Sequence, residues 1–299
     1  MYLPHEIQNA QILISVKTYP QPSKTYDELV CTAGFLPDGT WIRLYPVPLR
    51  GLPSWQQYQK YHWITLDLIR NTKDFRPESY RPLKGAEYLQ LGERLDTTKN
   101  WEERKKYALK EVFTSIGELI QRAKSQEKKS LATLKPREIL DFIIEDTERT
   151  WKPQWIENSN QLSYFDLDEQ GEGKKRKIIR KLPFKYFYKF RTEGDREPRK
   201  LMIADWEIGA LFWREFDKTQ DEDYANKQVT KKFFYEFLEK NDLYFFLGTT
   251  HEYHNVSLNP FIIIGVFYPL KEDSSAKKSK RAVSLKIESL SQPPLFDVF

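Results

Sequence analysis

The sequence predicts an α+β fold: small OB-like β-barrels with an inserted helical hairpin and a second β-rich domain. Three observations carry that expectation. Aromatic residues make up 15% of the chain while glycines number only 12. That composition suits aromatic-faced strands better than glycine-rich dinucleotide loops. Short β-rich runs recur between turns, and two of them are joined through Pro37-Asp38-Gly39, an Asp-Gly hairpin signal. Two later stretches break the rhythm with helical spacing.

Runs at 11–19, 29–35, 41–47 and 61–70 read as strands and place an OB-like barrel over residues 1–95. Across 98–124, Trp101, Ala108, Val112, Ile116 and Leu119 recur at helical spacing. A second helix is expected at 136–148, opened by Pro136, which completes a helical hairpin over 96–150. Residues 151–270 form the second domain. Its strands are expected at 183–191, 199–206, 243–249 and 260–268, and its helices at 206–216 and 228–240. The polar stretch 271–299 reads as a flexible tail.

The chain has 299 residues, enough for two or three domains, and 48 Lys and Arg against 43 Asp and Glu give a net charge of +5. That balance permits a polyanionic partner without demanding one. A single cysteine, Cys31, excludes an intrachain disulfide and a cysteine-rich zinc site. Cys31 sits in an expected strand, as a small apolar side chain rather than a nucleophile. No P-loop, Gly-x-Gly-x-x-Gly or Gly-x-Ser-x-Gly pattern occurs, so no cofactor is expected. The opening MYLPHEIQNA lacks a basic and apolar leader, and the longest apolar run, near Phe261–Val266, is too short for a bilayer. The expectation is a soluble cytoplasmic protein without a membrane partner.

Positions 41, 43 and 45 share one face of a strand, so Trp41, Arg43 and Tyr45 can offer an aromatic and cationic surface to DNA or RNA. A base stacked on an aromatic ring contributes roughly 1–3 kcal/mol. Lys17, Arg50, Arg76 and Arg81 extend that surface. The competing reading puts Trp41 and Tyr45 in the core, with Arg43 at the barrel edge. The run KKRKIIRK at 174–181 adds Lys174, Lys175, Arg176, Lys177 and Arg180 as phosphate contacts, or else forms a solvated loop. Asp205 and Glu207 are the carboxylates closest to a catalytic pair. On a strand they would share a face suited to Mg²⁺, but if a helix starts here Asp205 is simply its N-cap, the favoured reading. His251-Glu252-Tyr253-His254 is one residue short of a zincin spacing and is expected in a surface loop, so no metal site is expected.

Four short patterns, Ser15-x-Lys17, Cys31-x-Ala33-Gly34, Trp41-Ile42-Arg43 and Arg76-Pro77-Glu78, together resemble the dual OB-fold-containing domain of prokaryotic conflict and mobile-element proteins. The likeness covers roughly residues 10–85 and departs at Leu44-Tyr45-Pro46, where the family has proline directly after Arg. It implies nucleic-acid binding or sensing in a bacterial defence, mobile-element or DNA-processing system. The terminal Gln292-Pro293-Pro294-Leu295-Phe296 resembles bacterial sliding-clamp-binding peptides. That likeness implies the clamp as partner through Gln292, Leu295 and Phe296. The alternative is that Leu295, Phe296 and Phe299 dock on the protein itself. The function expected is nucleic-acid binding without catalysis, with a metal-dependent nuclease subunit or an assembly adaptor as the alternatives.

Overall fold

Alternating apolar side chains over residues 6–94 build the first unit. The computed structural model describes residues 3–22, 28–153 and 179–271. Strands β1 (Glu6–Lys17), β2 (Gln21–Pro22), β3 (Glu28–Phe35), β4 (Trp41–Val47), β5 (His62–Arg70), β6 (Ser79–Pro82) and β7 (Gln90–Arg94) follow in order. The sheet runs β1-β3-β4-β6-β5, and β5 pairs back onto β1, so five strands close a barrel. Only β4 and β6 among the barrel neighbours run parallel. Ile12, Ile14, Ile42, Leu44, Ile64 and Leu68 fill the interior. The Asp-Gly turn forms as expected: Gly39 takes a φ of 79° and donates to the Leu36 carbonyl at 2.8 Å. Gly34 is required for a different reason, because a Cβ there would lie 2.1 Å from the Leu13 carbonyl oxygen on β1.

Helix α1 (Thr98–Ala108) follows, with Trp101 and Tyr107 packed edge-on against Tyr61 and Trp63 of the barrel. Its first turn holds Lys99, Asn100 and Trp101 at positive φ. The Asn100 side chain secures that turn, donating to the Leu270 carbonyl at 2.9 Å and accepting from the Leu270 amide at 2.6 Å.

The second unit comprises β8 (Val112–Phe113), α2 (Ile116–Lys124), β9 (Leu131–Leu134), β10 (Glu138–Asp146), β11 (Phe184–Arg191), β12 (Arg199–Ile203), α3 (Trp206–Thr219), α4 (Glu222–Thr230), a π-helical stretch (Lys231–Glu236), α5 (Phe237–Lys240), β13 (Tyr244–Thr249) and β14 (Phe261–Phe267). Its sheet is ordered β10-β11-β12-β14-β13-β9-β8 and, among the described residues, stays open. Tyr186, Tyr188, Phe190, Phe245 and Ile263 project from one face and pack with Phe212, Phe233 and Phe237 of the helices.

A third cluster joins the units. Leu13, Phe35, Trp41 and Tyr61 of the barrel pack with Ala108 of α1 and with Leu131, Phe246, Ile264 and Phe267 of the second sheet. The alternation along β13 and β14 explains why. Phe245 and Ile263 point to the helices, so Phe246, Ile262 and Ile264 point to the barrel.

Two expectations need correction. The inserted helical hairpin does not form: 136–148 contains strand β10, not a helix. The cause is a bulge between Ile139 and Asp141, which brings Ile139 and Phe142 to the same inner face and imitates helical spacing. The stretch 98–124 also divides, with β8 between α1 and α2. Ser115 accepts from the Glu118 amide at 3.3 Å and starts a new helix there. The second β-rich region is an open sheet that begins at β8, not a further barrel. Among the described residues no helix is long and apolar enough to cross a membrane.

Candidate functional site

The face of β4 expected to meet nucleic acid is buried between the two units. Trp41 is 8% exposed, with ring centroids 4.0 Å from Phe35 and 5.2 Å from Phe246. Arg43 is 3% exposed and donates to the Ser130 hydroxyl at 3.1 Å. Ile42 and Leu44 fill the barrel, so both faces of the strand are covered. Burial, together with the positive charge of nearby Arg76, lowers the Arg43 guanidinium to about 10. The Arg43 Nε finds no hydrogen-bond partner. Arg76 is also buried: it clamps the Asp74 carboxylate at 2.5 Å and donates to the Thr249 carbonyl at 2.5 Å. Burial alone would raise the Asp74 carboxyl, but the Arg76 hydrogen bonds bring it down to about 2. Glu78 accepts from the Ser130 amide at 3.1 Å, so the barrel's Arg43-Arg76-Glu78 group is a polar seam with the second unit.

Tyr45 and Arg50 are half-buried, and Arg81 is exposed on β6. Lys17 and Arg180 do converge, on a cluster of three rings at the seam. Lys17 lies 4.6 Å from the Trp206 ring and Arg180 lies 4.0 Å from the Trp213 ring. Trp213 donates to the Tyr19 hydroxyl between them at 2.8 Å. Arg180 also pairs with Asp217 at 2.6 Å. Lys174, Lys175, Arg176 and Lys177 lie outside the described residues, as do Gln292, Leu295 and Phe296.

Asp205 is the N-cap of α3. Its carboxylate accepts from the Glu207 amide at 3.0 Å, the Val266 amide at 3.1 Å and the Lys60 ammonium at 2.7 Å. Glu207 stands 3.3 Å from the same ammonium. Burial pushes the Glu207 carboxyl upward, while the two carboxylates hold Lys60 above its usual range against burial. Lys60 therefore occupies the place a cation would take. Among the described residues no group of three His, Cys, Asp or Glu side chains is placed to hold a metal. In the 251–254 loop His251 is exposed, but His254 is fully buried between Thr249 (2.7 Å) and the Ala123 carbonyl (3.0 Å), contrary to the surface reading. Cys31 is half-buried in β3.

The remaining candidate is the part of the second sheet that the barrel leaves open. Tyr186, Tyr188, Phe190, Leu201 and Ile203 point to the helices, so Lys185, Phe187, Lys189, Arg191, Lys200 and Met202 point the other way. Ile143, Phe187 and Met202 stand opposite one another across β10, β11 and β12. Lys185 and Lys189 flank this apolar row, and the Lys200 ammonium lies 4.3 Å from the Phe187 ring. Lys200 also pairs with Glu145, and Arg191 pairs with Glu138 at 3.0 Å. Lys185 and Lys189 are exposed and make no ion pair among the described residues. Sequence reasoning missed this face because it treated FKYFYKFR only as a strand. The signal was present, in the alternation of Tyr186, Tyr188 and Phe190 with Lys185, Phe187, Lys189 and Arg191.

A family model described as Domain of unknown function (DUF8757) matches residues 112–287. The chain belongs to that family. A second model, Domain of unknown function (DUF8758), matches residues 8–110. The two meet where the chain passes from α1 to β8, between barrel and sheet. No curated protein matches the chain.

The seam gives a pH-dependent prediction. Burial, with Lys60 nearby, lowers the Lys17 ammonium from the usual 10.5 to about 8. The unfolded chain keeps that proton up to about pH 10.5, so this group adds stability as pH rises across the window. Lys17→Met should be more stable than wild type at pH 7, with the difference closing towards pH 10. Urea midpoints at both pH values measure this, and a difference independent of pH contradicts the assignment.

Proposed function

We propose that the protein binds DNA or RNA without catalysis, on the open half of its second sheet. The observation that carries the reading is the Ile143-Phe187-Met202 row bordered by Lys185, Lys189 and Lys200. A half-exposed ring on a sheet face gives a base something to stack on. Cations two residues away on the same face reach the phosphates on either side. The barrel supports the reading from the fold: it is a closed five-stranded barrel, and small barrels of the OB kind bind oligonucleotides and oligosaccharides. In this chain the outer face of β3 and β4 is committed to the seam, so the binding surface lies on the adjoining sheet. A role in bacterial defence, mobile elements or DNA processing follows from the sequence resemblance alone.

The sliding clamp is proposed as a protein partner on the sequence of Gln292-Pro293-Pro294-Leu295-Phe296. A short extended peptide with paired Leu and Phe anchors suits an apolar pocket.

Anisotropy of a labelled oligonucleotide titrated across salt concentrations tests the nucleic-acid reading. Phe187→Ala should weaken binding by about 1–3 kcal/mol. Replacing Lys185, Lys189 and Lys200 with Ala should lower the slope of log affinity against log salt by about 2. Wild-type affinity and slope in both variants would remove this face from consideration. Removing residues 291–299 should abolish capture by immobilised clamp and leave oligonucleotide binding intact; undiminished capture would show that the tail is not the contact.

A further inference from the structure

The barrel end remote from the Asp-Gly turn carries two exposed rings on a rigid mount. Because β4 and β6 run parallel, the segments that leave them, 48–61 and 83–89, emerge at the same end. Trp55, on a 3₁₀ turn at Ser54–Gln56, is 69% exposed. Tyr88, on a 3₁₀ turn at Ala86–Tyr88, is 61% exposed. Every other described tryptophan is buried or half-buried.

Gln56 fixes the pair. Its side chain is buried, and its amide donates to the Glu87 carbonyl at 2.7 Å and to the Leu89 carbonyl at 2.8 Å. Those two acceptors bracket Tyr88, so the turn that carries Trp55 is tied to the turn that carries Tyr88. Packing explains Gln56 but not the rings, which project into solvent. Arg50 and Lys84 lie in the same two segments, and Glu87 is the one acidic residue there.

We infer that this end of the barrel stacks unpaired bases of a single-stranded nucleic acid on Trp55 and Tyr88, with Arg50 and Lys84 beside the phosphates. The inference rests on the proposed binding face of the second sheet and narrows its substrate to single strands. Bases in a duplex are stacked on one another and present edges, whereas an unpaired base offers its whole ring face. A strand that touches both the sheet and the barrel end has to be longer than one that touches the sheet alone.

The test compares wild type, Phe187→Ala, Trp55→Phe and a Trp55→Ala/Tyr88→Ala double variant. Short and long oligo(dT), oligo(rU) and a matched duplex are titrated by anisotropy, with sedimentation in the same buffer. The expected result is preference of the wild type for long single strands. The double variant should lose about tenfold or more of that affinity, while binding short strands normally, and Trp55→Phe should retain most of it. The urea midpoint of the double variant should stay close to the wild-type value, because both rings are mostly exposed. If the double variant binds long strands like wild type while Phe187→Ala is impaired, the barrel-end site is refuted and the sheet reading stands. A wild-type dimer that the double variant dissociates, with oligonucleotide binding unchanged, refutes it in favour of contact between copies. No binding of any oligonucleotide by the wild type refutes both readings.

Discussion

The outer face of β4 is pressed against the second sheet, and most of the architecture follows from that contact. Trp41 sits among Phe35 and Phe246, and removing a buried tryptophan costs about 3–5 kcal/mol where the surroundings cannot collapse. Beside it, Arg43, Arg76 and Glu78 each make a hydrogen bond to a group of the other unit, at Ser130 or Thr249. Buried charges without such partners would be strongly destabilising. The apolar cluster supplies the burial energy, and the polar seam fixes the orientation in which the two surfaces can meet.

That contact also determines which surfaces remain for a ligand. It covers the strands of the barrel that carry the sequence resemblance, and it covers the β9, β13 and β14 part of the second sheet. Among the described residues the β10–β12 part is left open with its lysines and Phe187. At the far end of the barrel, Trp55 and Tyr88 are left free of the seam. The Lys60 ammonium pairs with Asp205 and Glu207, links the start of α3 to the segment before β5, and occupies the space between those two carboxylates.

Much of the fold was legible because local pattern and tertiary context agreed. Strands β1, β3, β4, β5, β11, β13 and β14 fall close to the expected runs, and Asp205 caps α3 as favoured. Strand β10 was misread because its bulge shifts the inner-face spacing from two residues to three. The division of 98–124 could have been found in Ser115-Ile116-Gly117-Glu118, a capping-box pattern that starts a new helix. The fate of Trp41 and Arg43 could not be read from alternation. A period of two says that they share a face, and nothing in the period says whether water or another sheet lies on it. The same limit applies in reverse to Phe187, whose ring alternates with the core tyrosines but meets no second layer among the described residues.

Two distinct family models divide the chain at residues 110 and 112, yet the structure joins the two parts through one apolar cluster and a shared polar seam. The most direct test of that account is equilibrium unfolding of the full chain in urea, followed by both tryptophan emission and far-UV circular dichroism, for wild type and Trp41→Ala. The account predicts one coincident transition in wild type and a lower midpoint for the variant by both probes. Two separate transitions in wild type, with Trp41→Ala moving neither, would contradict it.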